Sequence, residues 1–291
     1  MPSHHDLALL AAVGAAVVFA WNLGRNSRPW AGQSAAEPSP SPSPCAPPAA
    51  NSLPGILVIT GASKGIGLAT AKRFLASGWR VLNLSRSPCP LAGVVHRQCD
   101  LGAPGWEAGL AAWAAEELGL APGAANRICL VHNAAVMVRD SALCPDGDAM
   151  LRSFAINVVA PAVLNGVFSP AMGPGSSILY IGSTLSEKGV PGSASYVASK
   201  HAVAGLMKVT TQDLKGRDGV HSCCVCPGFT ATEMLVAHLG SDPAVRDMIL
   251  GMQTMGRLLE TSEIADVVHF CALNPSVNGT VLHANLGQVE R

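Results

Sequence analysis

The sequence predicts an α/β protein whose single domain is built on a doubly wound parallel sheet and is preceded by a hydrophobic, proline-rich extension. Short apolar runs of strand length alternate with segments of helix length from Gly55 onward. A glycine-rich turn directly follows the first apolar run. The composition changes once, near residue 54, so we predict an N-terminal extension over residues 1–54 and one domain over residues 55–291.

The order of predicted elements indicates how the strands pair. Strands are predicted at 56–59, 80–84, 94–99, 127–131, 177–181, 220–225 and 281–284. Helices are predicted at 66–76, 106–118, 149–168 and 195–215, across 232–255, and at 263–271. Because helices join most of the strands, we expect parallel pairing with both faces of the sheet covered. The segment 85–94 between the second and third strands is too short for the crossover helix expected there.

The composition excludes some classes of protein. With 49% hydrophobic and 13% charged residues, the chain can bury a large core, and its formal net charge of zero provides no basic surplus for nucleic acid. Three of the nine cysteines, Cys223, Cys224 and Cys226, cluster in one apolar run. We interpret this cluster as core packing in a reducing compartment rather than a metal or redox site, and we predict no metal site.

The extension contains an apolar segment, residues 7–23, followed by Arg25, Arg28 and a Ser/Pro/Ala tract over 33–54. The segment is at the short limit for a membrane-spanning helix, and the two arginines favour a short anchor with the following domain in the cytoplasm. A transit or signal sequence is the alternative, because the Ser- and Ala-rich stretch contains Glu37 as its only acidic residue. An incidental extension on a cytoplasmic protein also stays open. The Ser-Pro repeats predict an extended tether.

The turn after the first strand has the pattern of a nucleotide-binding loop. It reads Gly61-Ala62-Ser63-Lys64-Gly65-Ile66-Gly67 and opens the first helix. Glycines at these spacings allow a tight turn, close approach of the backbone to a pyrophosphate, and close helix–strand packing. The N–H groups at the start of the helix attract the anion. The position of the turn between a strand and a helix therefore predicts a dinucleotide cofactor.

The residues that end the second strand favour NADP over NAD. An NAD-preferring site places an acidic residue there, on the ribose 2′-hydroxyl group, whereas this chain has Ser85 and Arg86. These side chains could hold a 2′-phosphate, and Lys64 in the glycine turn adds a second cation. Alternatively, Arg86 and Lys64 are solvated surface charges.

A tyrosine and a lysine lie four residues apart at the start of a predicted helix. Tyr196 and Lys200 therefore share one helix face, and Ser183 ends the strand that precedes this helix. A nearby ammonium favours the phenolate form of a tyrosine, which assists proton exchange with a substrate oxygen. An isolated pair of this kind is more often an ordinary amphipathic face, so the remaining motifs have to decide.

Together these motifs resemble the short-chain dehydrogenase/reductase family over essentially all of 55–288. They occur in the expected order: Thr60-Gly-x-x-x-Gly-Ile-Gly67, Asp100-Leu101, Asn133-Ala134, Asn157, Ser183, Tyr196-x-x-x-Lys200, and Pro227-Gly228 with Thr230 and Thr232. The resemblance implies a Rossmann-like fold and hydride transfer with a nicotinamide cofactor.

The resemblance also implies roles for individual catalytic residues. Tyr196 would exchange a proton with the substrate oxygen, and Ser183 would hydrogen-bond the same oxygen. Lys200 would assist the phenol and bind the nicotinamide ribose, while Asn157 would hold a water that links Lys200 to solvent.

Other residues would bind the cofactor. Asp100 would meet the adenine amino group and Leu101 the adenine ring, and Asn133 and Ala134 would line the cofactor. The segment from Pro227 and Gly228 to Thr230 and Thr232 would reach the carboxamide or the phosphates.

Three departures from the family pattern stand out. His132 precedes Asn133 where the family usually has asparagine, and we interpret it as a structural substitution. We interpret His201, beside Lys200, as a packing residue on another helix face. The run Leu282 to Gly287 replaces a common Val-Asp-Gly-Gly sequence, although the final strand is intact.

The resulting prediction is an NADP(H)-dependent oxidoreductase that interconverts a carbonyl and a secondary alcohol of a small-molecule substrate. The substrate wall would come from 185–191 and from 229–255, and the apolar side chains of the second segment suit a hydrophobic substrate or simply pack helices. A 3-oxoacyl, steroid or sugar reductase is the alternative within the family, and a catalytically silent NADP-binding regulator is the alternative outside it. A homodimer or homotetramer is expected by resemblance, through the helices at 149–168 and 195–215.

Overall fold

Seven parallel strands form the centre of the molecule. The computed structural model describes residues 55–119, 126–239 and 243–288, and its strands are β1 (Ile56–Thr60), β2 (Arg80–Ser85), β3 (Val94–Gln98), β4 (Ile128–His132), β5 (Ser177–Ile181), β6 (His221–Pro227) and β7 (Val281–Ala284). Their order in the sheet is β3-β2-β1-β4-β5-β6-β7, and each neighbouring pair is parallel. The strand order reverses between β1 and β4, which is where ligands bind in open α/β sheets.

Helices cover both faces of the sheet, as the sequence predicted. They are α1 (Gly65–Ala76), α2 (Leu110–Leu118), α3 (Gly147–Phe154), α4 (Ala160–Phe168), α5 (Ala194–Asp213), α6 (Glu233–Leu239), α7 (Pro243–Gly251) and α8 (Thr261–Leu273). Val58 packs into the core that contains Leu164 of α4 and Met207 of α5. Its neighbour Leu57 packs into the opposite core, with Phe74 of α1 and Val268 of α8. This alternation along β1 gives two cores, one on each face of a doubly wound sheet.

Two predicted helices differ from the observed ones. The helix predicted at 106–118 begins at Leu110, because Gly109 has φ +67° and cannot continue a right-handed helix from the preceding turns. The helix predicted at 149–168 is interrupted by one π-helical turn, Ala155–Val159, which contains Asn157. Such single π turns occur often at functional sites. The expectation that no helix fits between β2 and β3 is confirmed.

The predicted anchor at 7–23 lies outside the described residues, as does the rest of the extension. Within the part of the chain that the structure describes, the continuous helical run 147–171 is long and apolar enough to cross a bilayer by length and composition. Two of its side chains, Leu164 and Phe168, are fully buried in the core. One face of this run therefore packs in the core.

The cysteine cluster on β6 packs in the core as predicted. Cys223, Cys224 and Cys226 are fully buried, and the eight cysteines among the described residues are free thiols. The interpretation of His201 as a packing residue was wrong. Its side chain is exposed on α5, where it lines a surface cavity of about 520 Å³ with Ala142 and Val197.

Candidate active site

The glycine turn forms a tight backbone cradle between β1 and α1. Gly61 and Gly65 have φ of +73° and +55°, which other residues adopt only with strain. A Cβ on Gly67 would lie 2.2 Å from the carbonyl oxygen of Gly61, so this position admits only glycine. Lys64, the N-cap of α1, makes no side-chain hydrogen bond to the first helical turn. The turn, including Ser63 and Ile66, thus presents backbone amides to an anion and fits a dinucleotide pyrophosphate.

Thr60, Asn133 and Ala134 join the ends of β1 and β4 beside this turn. The hydroxyl oxygen of Thr60 accepts hydrogen bonds from the backbone N–H groups of Asn133 and Ala134, at 3.0 and 2.9 Å. The side-chain amide of Asn133 donates to the carbonyl oxygens of Thr60 and Gly61, at 2.9 and 3.1 Å. These three predicted cofactor residues therefore hold the glycine turn in shape and line its edge.

The end of β2 is organised by Asn83, which the sequence interpretation missed. The side-chain oxygen of Asn83 accepts from the N–H of Ala62 at 3.0 Å, and its amide donates to the hydroxyl of Ser85 at 2.9 Å. Ser85 is nearly buried, and its hydroxyl donates to the carbonyl oxygen of Ser87 at 2.6 Å. A polar residue inside an apolar strand was the signal that could have identified Asn83.

The two predicted 2′-phosphate cations have different surroundings. Arg86 is exposed directly after β2. The ammonium of Lys64 forms an ion pair with Glu233 at 2.5 Å, and both side chains are largely exposed. Lys64 thus links the glycine turn to α6, and Arg86 is the more direct candidate for a 2′-phosphate.

Asp100 and Leu101 follow β3 at the edge of the same crevice. One carboxylate oxygen of Asp100 accepts from the N–H of Gly102 at 3.0 Å, and the other lies 3.6 Å from the guanidinium of Arg152. The side chain of Leu101 is 7% exposed and belongs to the core under the sheet. Asp100 therefore stays available at the edge of the crevice. Because its side chain is buried, Leu101 can contact an adenine ring mainly through its backbone.

Tyr196 and Lys200 lie side by side on the first turns of α5, as their spacing predicted. Tyr196 is 9% exposed and Lys200 is 3% exposed. The ammonium of Lys200 lies 5.5 Å from the centre of the Tyr196 ring. It also donates a hydrogen bond to the carbonyl oxygen of Ile181 at 2.6 Å, which ties α5 to the end of β5. A buried ammonium is thereby held against the only phenol in the crevice.

Asn157 connects the π turn to the helix that carries Tyr196. Its side-chain amide donates to the hydroxyl of Ser199 and to the carbonyl oxygen of Val136, both at 3.0 Å, and its side-chain oxygen accepts from the N–H of Val136 at 2.9 Å. The hydroxyl of Ser199 in turn donates to the carbonyl oxygen of Tyr196 at 2.8 Å. Both amide hydrogens are therefore taken by protein acceptors, so a water would have to use another atom of Asn157.

Ser183 begins a short 3-10 turn, Thr184–Ser186, directly after β5. Its hydroxyl oxygen accepts from the N–H of Leu185 at 3.1 Å, and its own N–H donates to the hydroxyl of Ser186 at 3.1 Å. This reciprocal capping holds the serine in one orientation. Among the described residues, the Ser183 hydroxyl hydrogen has no acceptor, so it is available to a substrate oxygen.

Two thiols lie directly beneath this serine. The Cys224 and Cys226 sulfur atoms are 3.8 Å apart, and a Cβ on Gly182 would lie 2.6 Å from the Cys226 sulfur and 2.7 Å from that of Cys224. The hydrogen bond between the thiols lowers the pKa of Cys226 and raises that of Cys224. The alternating pattern of β6 could have placed both thiols on one face, but not under Ser183.

The end of β6 and the segment after it lie beside the glycine turn. Pro227 is buried, and a Cβ on Gly228 would lie 2.9 Å from the Cα of Asn285. Thr230 is buried and donates to the carbonyl oxygen of Gly228 at 3.0 Å. The methyl carbon of Thr232 would lie 3.5 Å from a Cβ on Gly65. Thr232 thus lies against the glycine turn, and its predicted contact with the cofactor stays a prediction.

The predicted substrate walls flank the opening. Met234, Met248 and Met255 are 40%, 60% and 64% exposed, whereas Ile249 is buried. The predicted wall 229–255 therefore packs part of its apolar surface and leaves these three methionine side chains exposed to solvent.

A hydrogen bond between two side chains fastens the loop that follows Ser183. The imidazole of His283 on β7 lies 2.8 Å from the carboxylate of Glu187 in the loop after Ser183.

His132 has the structural role that the sequence suggested. Its side chain is buried and donates from Nε2 to the side-chain oxygen of Asn165 at 2.8 Å, and its ring packs against Tyr180 with centroids 4.8 Å apart. Burial lowers the pKa of His132 to about 4. The imidazole is therefore neutral at physiological pH and supports β4 against α4.

The crevice brings together a phenol, an ammonium and an oriented hydroxyl beside a backbone cradle for an anion. A nicotinamide dinucleotide fits these residues, because the glycines leave room for the pyrophosphate and the polar side chains follow neighbouring strands at the same edge of the sheet. The polar groups can hold a substrate oxygen and move a proton to or from it.

Comparisons with known proteins agree with this geometry. The family model described as short chain dehydrogenase matches residues 55–240. The chain is 30% identical to Protein FixR of Bradyrhizobium diazoefficiens over 253 residues, which cover 81% of this chain and 87% of that protein. It is 32% identical to L-xylulose reductase of Bos taurus over 221 residues, which cover 73% and 86%.

A solved structure gives the same result. The short chain dehydrogenase from Burkholderia cenocepacia, determined in complex with NADP, superposes with a TM-score of 0.70 at 27% identity, covering 80% of this chain and 97% of that one. The fold, the crevice and these similarities agree, and the chain belongs to the short-chain dehydrogenase/reductase family of NAD(P)-dependent oxidoreductases.

Proposed function

We propose that this protein is an NADP(H)-dependent oxidoreductase that interconverts a carbonyl and a secondary alcohol, with Tyr196 as the acid/base. The observation that supports this most is the position of the Lys200 ammonium, which is buried, 5.5 Å from the Tyr196 ring centre, and bonded to the strand that leads into Ser183. Burying an ammonium beside a phenol costs free energy of folding. A catalytic role for the Tyr196 and Lys200 pair explains why the protein bears this cost.

Each side chain has a separate part in the proposed reaction. The Ser183 hydroxyl donates a hydrogen bond to the substrate oxygen and holds the carbonyl in place. The Tyr196 phenol donates its proton to that oxygen during reduction and accepts it back during oxidation. The bound nicotinamide supplies or accepts the hydride. The Lys200 ammonium stabilises the phenolate that remains, and Asn157 keeps the first turns of α5 in register through Ser199.

The preference for NADP rests on the end of β2. Arg86 stands exposed where an NAD-specific site would place a carboxylate. A guanidinium there favours a 2′-phosphate through charge-assisted hydrogen bonds. The Burkholderia cenocepacia relative, which is similar over most of the chain, was solved with NADP bound.

The proposed substrate is a small to medium organic carbonyl compound with an apolar portion. The exposed methionines of 234–255 would contact that portion, since methionine side chains adapt to irregular shapes. A sugar reductase is the alternative that similarity to L-xylulose reductase favours. A 3-oxoacyl or steroid substrate would also use an apolar wall.

We extend the proposal to assembly and location. Leu151, Val159 and Val209 are 71%, 50% and 56% exposed on the helical runs 147–168 and 194–213, and a homodimer or homotetramer would cover them. Light scattering on the purified protein tests this. A membrane anchor at 7–23 remains a proposal that rests on the sequence alone.

The test of the function is a panel of ketones, aldehydes, ketoses and 3-oxoacyl thioesters assayed for NADPH consumption with the full chain. Tyr196→Phe is compared with wild type on whichever panel member is turned over, and NADPH binding is measured for both by fluorescence. We expect the variant to bind NADPH normally and to lose at least 100-fold in kcat, in the range of general acid/base catalysis.

The result separates an enzyme from a catalytically silent regulator. A regulator would bind NADPH and turn over no panel member. Retention of most turnover by Tyr196→Phe would show that another group is the acid/base.

A further inference from the structure

The helix that carries Tyr196 lacks a cap of its own. Ser193 is the N-cap residue of α5, and its side chain makes no hydrogen bond to the first helical turn. Among the described residues, its buried hydroxyl has no partner at all. The start of a helix without a cap leaves backbone N–H groups unsatisfied, and here those groups lie next to the proposed acid/base.

The missing cap is supplied from a different part of the chain by Asp140, which lies in the loop after β4. Both carboxylate oxygens of Asp140 accept from the backbone N–H of Ser195, each at 3.1 Å. The second oxygen also accepts a short hydrogen bond from the Ser195 hydroxyl. Ser195 is the second residue of α5 and the neighbour of Tyr196, and a capping side chain normally bonds the N–H of this position or the next.

The backbone around this contact is held separately. The N–H of Asp140 donates to the carbonyl oxygen of Gly192 at 3.3 Å, and the N–H of Ala194 donates to the carbonyl oxygen of Asp140 at 3.5 Å. Asp140 and Ser193 form an isolated parallel bridge. Replacing the carboxylate therefore removes the cap while these backbone bonds remain, so the cap can be tested by itself.

We propose that Asp140 is a positioning residue for the reaction: its carboxylate caps α5 from outside the helix and fixes the orientation of the Tyr196 phenol. The inference rests on the proposed function in assigning Tyr196 as the acid/base. Asp140 acts through Ser195. It also ties α5 to the loop after β4, whose beginning, Asn133 and Ala134, lines the glycine turn. A shift of the first turn of α5 would misplace the phenol relative to the substrate oxygen, and small misplacements reduce rates strongly.

The structure offers a matched control. Asp146 caps α3 with the same chemistry, because its carboxylate accepts from the N–H groups of Asp148 and Ala149, both at 3.1 Å. Asp146→Ala removes a cap of equal type from a helix that does not carry Tyr196. A loss of turnover caused only by lower stability would appear in both Asp140→Ala and Asp146→Ala.

The experiment uses the full chain with Asp140→Ala, Asp140→Asn and Asp146→Ala. Hydrogen exchange reports on the first turn of α5, and NMR of protein labelled with ¹³Cζ-tyrosine reports on the phenols. The chain has only two tyrosines, Tyr180 and Tyr196, so the spectrum has one signal for each, assigned with Tyr196→Phe. Turnover is measured on the panel substrate, and NADPH binding by fluorescence.

For Asp140→Ala we expect at least tenfold faster exchange at Ser195 and Tyr196, a displaced or broadened Tyr196 signal, and an unchanged Tyr180 signal. We also expect kcat to fall at least tenfold while the Kd for NADPH changes less than threefold. The exchange rates and kcat of Asp140→Asn should lie between those of wild type and Asp140→Ala. The asparagine oxygen still accepts from the Ser195 N–H, but its amide nitrogen cannot accept from the Ser195 hydroxyl. Asp146→Ala should leave kcat and the Tyr196 signal unchanged.

The inference is overturned if Asp140→Ala exchanges at the start of α5 at the wild-type rate. It is also overturned if the kcat of Asp140→Ala stays within twofold of wild type while Tyr196→Phe is inactive. Either result leaves the proposed function standing. Retained turnover in Tyr196→Phe defeats the proposed function instead. In that case exchange and the ¹³C signals still decide whether Asp140 orders the helix.

Discussion

The ammonium of Lys200 donates a hydrogen bond to the backbone carbonyl oxygen of Ile181 at 2.6 Å. This bond joins α5 to β5 two residues before Ser183, so the elements that carry the serine and the tyrosine are fastened together through the lysine. A lysine that only favoured the phenolate would need no such anchor. The Lys200 side chain thus fixes the position of α5 relative to the end of β5.

Lys200→Met should therefore reduce turnover at least 100-fold, because the Tyr196 phenol loses the neighbouring ammonium. Lys208→Met is the matched control, since Lys208 lies on the same helix with its side chain exposed. Steady-state kinetics and thermal unfolding check both variants. Equal behaviour of the two would mean that the buried ammonium has no special role.

Arg86→Ala should weaken NADPH binding at least tenfold and NADH binding less than threefold, because only NADPH has the 2′-phosphate. Lys64→Ala should have a smaller effect, since its ammonium already pairs with Glu233. Lys72→Ala, an exposed lysine on α1, is the control for a general loss of positive charge. Fluorescence titration measures all the dissociation constants. If Arg86→Ala weakened both cofactors equally, the 2′-phosphate argument would be wrong.

Gly67→Ala should abolish NADPH binding and lower the free energy of unfolding by about 2 kcal/mol or more, because its Cβ would collide with the Gly61 carbonyl oxygen. Gly166→Ala is the opposite case. A Cβ there meets nothing within 4 Å on the exposed side of α4, so stability should rise by about 0.5–1 kcal/mol. Chemical denaturation checks both, and a stable Gly67→Ala that binds NADPH contradicts the close packing.

His132 should make the protein sensitive to acid. Burial lowers its pKa to about 4 in the native state, whereas an unfolded histidine titrates near 6.5. Below pH 6.5 the unfolded state thus binds more protons, and the free energy of unfolding falls with pH until about pH 4. The full difference is about 3 kcal/mol for this group.

His132→Asn should show a smaller loss of stability between pH 6.5 and 4 than wild type, even if it is less stable at pH 8 because ring packing on Tyr180 is lost. Burial also lowers the pKa of His221 and His269, and these contribute equally in both proteins. His201→Asn, at an exposed position, serves as the control. Urea unfolding at several pH values is the measurement. An unchanged slope in His132→Asn would assign the acid sensitivity elsewhere.

Removal of residues 1–50 should leave a folded and active enzyme, because the described fold begins at Gly55. If residues 7–23 are an anchor, the full chain should sediment with membranes and the shortened chain should not. Activity, thermal unfolding and membrane fractionation test this together. An unfolded shortened protein would mean that the extension belongs to the fold.

Much of the fold followed from local sequence patterns. Alternating apolar runs and helix-length segments predicted the parallel sheet, and the glycine spacing predicted the cradle, because backbone conformation there depends on the missing Cβ. The i,i+4 spacing of Tyr196 and Lys200 placed both on one face of α5, since a helix has a fixed period. The helix start at Leu110 and the π turn at Asn157 were missed, because they depend on one left-handed glycine and on packing between helices.

The sequence by itself thus determined the order of the elements, the family, and the residue types available for the chemistry. Tertiary structure alone decided which side chains hold the predicted site residues in place. Asp140 reaches Ser195 across 55 positions of sequence, Lys200 reaches Ile181 across 19, and Asn83 reaches Ala62 across 21. No local periodicity records such contacts, because they form only when the strands bring distant loops to the same edge of the sheet.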